Sequence, residues 1–143
     1  MKTKILATIA LLSTISLAEP VKAANPAHVQ QLLETKVCEN CDLAGADLSG
    51  SHLVGADLRN ANLQKAILAN TNLEGADLTG ANLKGANLTG AFVNGTSLNE
   101  ANLANVNFSE ARLYSVELAG ANLTGINLSG AEVFNTDISV GGE

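Results

Sequence analysis

A strict five-residue spacing of large apolar residues runs through most of this 143-residue chain. Every fifth residue from Leu43 to Ile138 is apolar, and sixteen of these twenty residues are Leu. The exceptions are Val93, Phe108, Val133 and Ile138 itself. Two positions before each member stands a small or medium-sized residue, which is Ala in twelve cases. A period of five fits neither a helix nor a strand. The pattern therefore predicts a chain that turns every five residues with both series pointing inward.

The last position of the unit carries the residues that tight turns favour. Gly stands there in eleven of the twenty units, and Gly tolerates the positive φ that such turns often need. Asn or Lys replaces it at Asn60, Lys65, Asn70, Asn105 and Asn135, so we do not expect every corner to require Gly. The alternation of inward and outward positions before the corner predicts a very short strand in each unit.

The unit reads A-(D/N)-L-x-G, for example at residues 46–50 and 81–85, and in this it resembles the pentapeptide repeat family. That resemblance implies an all-β solenoid over residues 41–140. Its form would be a right-handed quadrilateral β-helix of about five coils, with four units in each coil. Leucine-rich repeats can also have a period of 20 residues, but their leucines are unevenly spaced. A coiled coil needs a period of 3.5.

Residues 1–23 have the pattern of a secretory signal peptide. Lys2 and Lys4 precede an apolar stretch at 5–17, and residues 21–23 offer a small-residue cleavage site, with 16–18 as an alternative. The other interpretation is a cytoplasmic N-terminal helix. The apolar stretch is short for a membrane span. We therefore expect an exported protein without a span in its mature form.

Residues 24–40 are predicted to form an N-terminal cap and a cysteine linker. Asn25 can cap a helix that begins at Pro26, and Val29, Leu32 and Leu33 then share one face. We expect this helix to cover the first coil, and a docking helix for a partner is the alternative. The tail, 141–143, offers no such cover unless it folds over the end. A homodimer through the C-terminal coil is therefore possible.

Cys38 and Cys41 form the only C-x-x-C of the chain. Both are in phase with the inward series, and two cysteines of an exported protein can form a disulfide. Reduced packed thiols and a redox-active pair remain open. So does zinc, which needs four ligands where the chain adds only His28 and His52. Residues 33–43 also resemble the start of the repeats in exported cyanobacterial members of the family, which implies the periplasm or the thylakoid lumen.

Taking every twentieth residue assigns three of the four aromatic residues to one outer surface. We call this surface the aromatic face, and its candidate interaction residues are His52, Phe92, Arg112, Tyr114 and Phe134. Exposed apolar clusters with polar rims often mark binding sites, although singly exposed apolar residues are ordinary. The fourth aromatic residue, Phe108, belongs to the inward series.

Charge and chemistry narrow the function further. Removal of residues 1–23 leaves five Lys or Arg against thirteen acids, which disfavours nucleic-acid binding. Catalysis needs a cleft and a base near a nucleophile, and His52 is the only His of the predicted solenoid. Stacked carboxylates at Asp57 and Asp77 are compatible with Ca²⁺, but solvated charge is the ordinary interpretation.

We therefore predict a non-enzymatic structural or protein-interaction solenoid, without a cofactor or a metal and with an unknown protein partner. Two alternatives remain. One is a DNA-mimicking gyrase-binding protein, as the family resemblance suggests, although gyrase is cytoplasmic and an export signal argues against it. The other is a redox or metal module at Cys38 and Cys41.

Overall fold

The computed structural model describes residues 22–138. In this part of the chain the helix α1 spans Pro26–Thr35, and the strands β1 and β2 span Arg112–Tyr114 and Glu132–Phe134. The strands pair in parallel with Arg112 opposite Glu132. The predicted signal peptide, apart from Lys22 and Ala23, and the tail 141–143 lie outside the described residues.

Isolated parallel bridges build the rest of the solenoid. Each outward residue after the small inward one pairs with the residue twenty positions later, as Asn62 does with Asn82. These bridges form four ladders, which start at Val37, Asp42, Asp47 and His52. The inward Leu that follows a bridged residue donates its N–H to a carbonyl of the next coil, as Leu63 does to Asn82 at 2.7 Å. The predicted β-solenoid is thereby confirmed.

A tight turn closes each unit. The N–H of Ala61 donates to the Leu58 carbonyl at 3.1 Å, and the same bond recurs along the chain. The corner residue inside this turn has positive φ whether it is Gly, as at Gly80 (69°), or not, as at Lys65 (55°) and Glu110 (59°). A corner with another residue in place of Gly therefore has the same backbone conformation.

The core is the stack of inward residues. The large apolar series is buried without interruption from Leu43 to Leu113. Thr71 and Thr96 take the small inward position, and each hydroxyl donates to a carbonyl of the preceding coil at 2.8 Å, at Leu48 and Leu73 respectively. These bonds make Thr acceptable inside the core, because a buried hydroxyl without a partner is costly.

The helix α1 lies over the first coil. Asn25 accepts a hydrogen bond from the Ala27 N–H at 3.0 Å, and the helix ends at Lys36, whose φ is 63°. Leu32 is fully buried in the core, whereas Leu33 is 44% exposed. The expectation that Leu33 shares the packed face is wrong, since successive residues lie about 100° apart around a helix and only a narrow stripe of α1 meets the solenoid.

The C-terminal coil is covered less well than the others. From Leu118 onward the inward residues of the described chain are only partly buried, and Val133 is 42% exposed. Within residues 22–138 there is no helix with the length and hydropathy of a membrane span.

Candidate functional site

The aromatic face lies on one ladder. His52 pairs with Asn72, Asn72 with Phe92 and Phe92 with Arg112. Arg112 then pairs with Glu132 where β1 meets β2. Bridged residues of neighbouring coils are about 4.8 Å apart, so outward side chains stack along the rod. This register decides which residues of the face can touch.

Phe92 and Arg112 form one half of the contact network. The guanidinium carbon of Arg112 lies 5.0 Å from the centre of the Phe92 ring, within the range of a cation–π interaction. Arg112 Nε also lies 3.6 Å from a carboxylate oxygen of Glu132. The cation therefore contacts the ring and the carboxylate together.

Tyr114 and Phe134 form the other half. Their rings meet edge to face with centres 6.3 Å apart, a favoured geometry for aromatic pairs. The Tyr114 hydroxyl donates a hydrogen bond to the Glu132 carboxylate, and this bond raises the pKa of the Tyr114 phenol above its ordinary value. Phe134 is 71% exposed. It is therefore the most accessible large apolar side chain of the face.

We call the connected part of the face the aromatic cluster; it consists of Phe92, Arg112, Tyr114, Glu132 and Phe134. Glu132 is absent from the residues predicted for the site, although it links the two halves. Its charge, opposite to that of Arg112 and twenty residues later, is the signal that could have found it. His52 lies outside the cluster, because Asn72 separates it from Phe92 along the ladder.

The two cysteines meet where the cap joins the first coil. Cys38 and Cys41 are joined by a disulfide with their Cα atoms 5.2 Å apart, and both residues are buried. The bond closes a loop with a sequence separation of only 3. It stiffens this turn and does not join distant segments of the chain.

The ladder that starts at Val37 carries Asp57, Asp77 and Glu117, and we call it the acidic ladder. Arg59 partly neutralises its charge. Its guanidinium donates to the Asp57 carboxylate at 2.8 and 2.7 Å and lies within 4.0 Å of Glu39 and Asp77. The bonds from Arg59 lower the pKa of Asp57. Within residues 22–138, no group of three or more His, Cys, Asp or Glu is arranged to hold a metal ion. Asp57 and Asp77 of this ladder therefore lie beside a cation of the chain itself.

One open depression lies at the C-terminal end of the same ladder. It encloses about 580 Å³, and its lining includes Asn99, Glu117, Asn135 and Asp137. Asn99 donates to the Glu117 carboxylate at 2.8 Å. The lining offers carboxylates and amides but neither His nor Cys.

The comparisons with known proteins agree with the repeat. A family model described as pentapeptide repeats matches residues 41–80, 56–95 and 94–130, in eight copies. No curated protein gives a significant match to the chain.

Solved structures of repeat proteins are also similar. A pentapeptide repeat protein from the Arabidopsis thaliana thylakoid lumen is 29% identical, with 77% of this chain and 70% of that chain covered and a TM-score of 0.47. QnrB1, a plasmid-mediated fluoroquinolone resistance protein, is 25% identical over 71% of this chain and 64% of its own, with a TM-score of 0.38. HetL from the cyanobacterium Nostoc is involved in heterocyst differentiation regulation. It is 27% identical over 68% of this chain and 64% of its own, with a TM-score of 0.33.

This chain spans a little less than two thirds of QnrB1 and of HetL. The family model covers well over half of the chain, and its matches begin at Cys41, where the inward series begins. The chain belongs to the pentapeptide repeat family.

Proposed function

We propose that this chain is an exported, non-enzymatic solenoid that binds a protein partner through its aromatic face. The observation that carries the proposal is the aromatic cluster, in which Phe134 is 71% exposed beside Tyr114. Tyr, Phe and Arg are enriched at protein interfaces and their hot spots. Pentapeptide repeat proteins are generally structural or interaction modules, which supports the same function.

The internal charge balance of the cluster specifies the kind of contact. Arg112 faces Glu132, and Tyr114 donates to the same carboxylate. What remains for a partner is mainly the edges and faces of the rings. We therefore expect an apolar or aromatic anchor in the partner and an affinity that changes little with salt, because exposed charge contacts are the ones that salt screens.

A cross-linking capture from the exported fraction tests this function. Wild type would be compared with Phe92→Ser/Tyr114→Ser/Phe134→Ser, and with Ile67→Ser as a control. Ile67 is 40% exposed but lies on another ladder. We expect a partner captured by wild type and the control and lost from the triple variant, with both variants folded by circular dichroism. Equal capture by the folded triple variant would rule out the aromatic face.

We also propose the finer form of the fold and its boundaries. The four ladders and their twenty-residue register support a right-handed quadrilateral β-helix of about five coils over residues 41–140, behind a cap at 24–40. An experimental structure of the exported protein tests the handedness and the number of coils.

Export itself rests on the residue pattern of 1–23. Ala24 packs against the core, and the Asn25 N–H donates to the Asp42 carbonyl at 3.1 Å, so cleavage after Ala23 leaves the cap intact. We propose the periplasm or the thylakoid lumen as the compartment and an oxidised Cys38–Cys41 pair there. The intact mass of the exported protein gives the cleavage site, and a thiol count with and without reductant tests the disulfide.

A homodimer through the C-terminal coil is a second proposal. Val133 and its neighbours in the last described coil are partly exposed inward residues, and isologous contacts are the commonest form of self-association. Light scattering would give a dimer mass for wild type and a monomer mass for Val133→Asp. A monomeric wild type at micromolar concentration rejects the dimer.

The alternatives differ from these proposals in simple measurements. A gyrase-binding protein must be found in the cytoplasmic fraction. A redox or metal module at Cys38 and Cys41 must cycle between thiol and disulfide or retain a metal after dialysis. Both are less well supported, because the cysteines are buried and the sequence starts with a signal pattern.

A further inference from the structure

The cap is attached to the first coil through a histidine. The Asp42 N–H donates to His28 Nδ1 at 2.9 Å, and the Asn25 N–H donates to the Asp42 carbonyl at 3.1 Å. On its other side Asp42 pairs with Asn62. Asn25 and His28 therefore occupy the place of one more strand, and they satisfy backbone groups that a bare sheet edge would leave free.

This hydrogen bond requires a neutral imidazole. Nδ1 can accept from a backbone N–H only while it carries no proton, so the proton of neutral His28 resides on Nε2. A protonated ring has donors at both nitrogens, and Nδ1–H would then face the Asp42 N–H. Protonation of the ring therefore removes the acceptor of the Asp42 N–H.

We propose that His28 is a pH-sensitive latch that holds the cap on the solenoid when neutral and loosens it when protonated. The inference goes beyond the proposed function, because it concerns the N-terminal edge of the rod and not the aromatic face. Loosening would expose the backbone of Asp42 and the apolar surface that the buried Leu32 side chain covers. It would make the first coil accessible to another strand or chain.

The charged groups around His28 do not reverse the loosening of the cap that protonation causes. The Asp42 carboxylate attracts an imidazolium, and Lys22 Nζ, 2.6 Å from it, balances its charge only in the uncleaved chain. Cleavage after Ala23 removes Lys22 and leaves the new ammonium of Ala24 next to Asn25, whose N–H donates to the Asp42 carbonyl at 3.1 Å. Attraction between the carboxylate and an imidazolium does not restore an acceptor for the Asp42 N–H. On the helix, the Glu34 carboxylate accepts from Gln30 at 2.8 Å. The Cys38 sulfur, 3.3 Å from the His28 carbonyl oxygen, is in the disulfide and does not titrate.

Amide hydrogen exchange of the folded protein, followed by NMR, tests the latch. Protection factors of Asp42 and of α1 would be measured from about pH 7.5 to about pH 5, the range of histidine titration. The variants are His28→Asn, whose side-chain oxygen can accept in place of Nδ1 without titrating, and His52→Asn, which removes the exposed histidine of the aromatic face.

We expect Asp42 protection in wild type to fall by about tenfold in acid, the scale of one hydrogen bond. His52→Asn should behave in the same way, and His28→Asn should show no such fall. The pH midpoint of the loss in wild type must also follow the titration of the His28 ring resonances, a test that needs no variant. Unchanged or increased protection of Asp42 in acid would overturn the latch. So would a pH midpoint of the protection loss that differs from the titration of the His28 ring resonances.

Discussion

Gly75 and Gly80 occupy successive corners of the solenoid, yet their surroundings differ. Both have positive φ, of 65° and 69°. A Cβ built on Gly80 would clash with Asn60 Oδ1 in the preceding coil, whereas one on Gly75 would meet nothing within 4 Å. At Gly80 the missing Cβ thus makes room for the corner side chain of the preceding coil.

We expect Gly75→Ala to lower the free energy of unfolding by about 1 kcal/mol, the scale of left-handed strain at one residue. Gly80→Ala should lower it further, because the Asn60 side chain must also move. In an Asn60→Gly background the two alanine substitutions should become equal. Denaturant unfolding of this double-mutant cycle is the measurement; equal losses in the wild-type background would contradict the role of Asn60.

The residue type at a corner predicts the turn but not the conformation of every corner residue. Frequent Gly predicted a turn, but Lys65, Glu100 and Glu110 adopt positive φ as well. Their backbone N–H groups donate to the next coil, as from Lys65 to Lys84 at 3.0 Å. These ladder bonds fix the corner whatever its side chain, so the residue type alone could not give its conformation.

At the scale of one element, the cap helix contributes through a narrow stripe. Leu32 is fully buried, and Leu33 beside it is 44% exposed. Leu32→Ala should lower the free energy of unfolding by about 2–5 kcal/mol, with Leu33→Ala as the matched control of small effect. Thermal unfolding followed by circular dichroism distinguishes them, and equal losses would mean that α1 packs in another orientation.

The ladder that carries Asp57 and Arg59 gives a pH-dependent prediction. Because the Arg59 bonds lower the pKa of Asp57 below its ordinary 3.8, their stabilisation is present above that value. It is lost as the pH falls through the lowered pKa. Asp57→Asn should thus destabilise the protein slightly near neutral pH and not in strong acid, while Glu74→Gln, two residues after Asn72 of another ladder, changes little. A difference that persists in strong acid would show that the Asp57 charge is not its source.

Over the whole molecule, stability should decline toward the C-terminal end. In solenoids each coil is stabilised by its neighbours, and the inward residues from Leu118 to Ile138 are only partly buried. We expect native-state hydrogen exchange to give smaller opening free energies there than around Leu83, in line with local unfolding from the less buried end. Uniform protection along the rod would mean that it opens only as a unit.

The five-residue apolar period by itself determined the architecture. A sequence period that no helix or strand can satisfy forces a turn in every unit, and the uniform inward series supplies a continuous core. The same pattern located the core residues and the outer face that carries the aromatic residues, while the capping residues Asn25 and Pro26 located the cap helix. These are local or periodic properties, and a single chain displays them directly.

Tertiary structure decided which of the outward residues act together. Only the stacking of coils twenty residues apart brings Arg112 onto Phe92 and Glu132 between Arg112 and Tyr114, and only it separates His52 from them. The His28 bond to Asp42 likewise depends on how α1 lies across the first coil. The twenty-residue register predicts which residues share a face, but it does not give the side-chain rotamers or the way α1 lies on the first coil. The contacts of the aromatic cluster and of His28 depend on both, and that is why they emerge only in three dimensions.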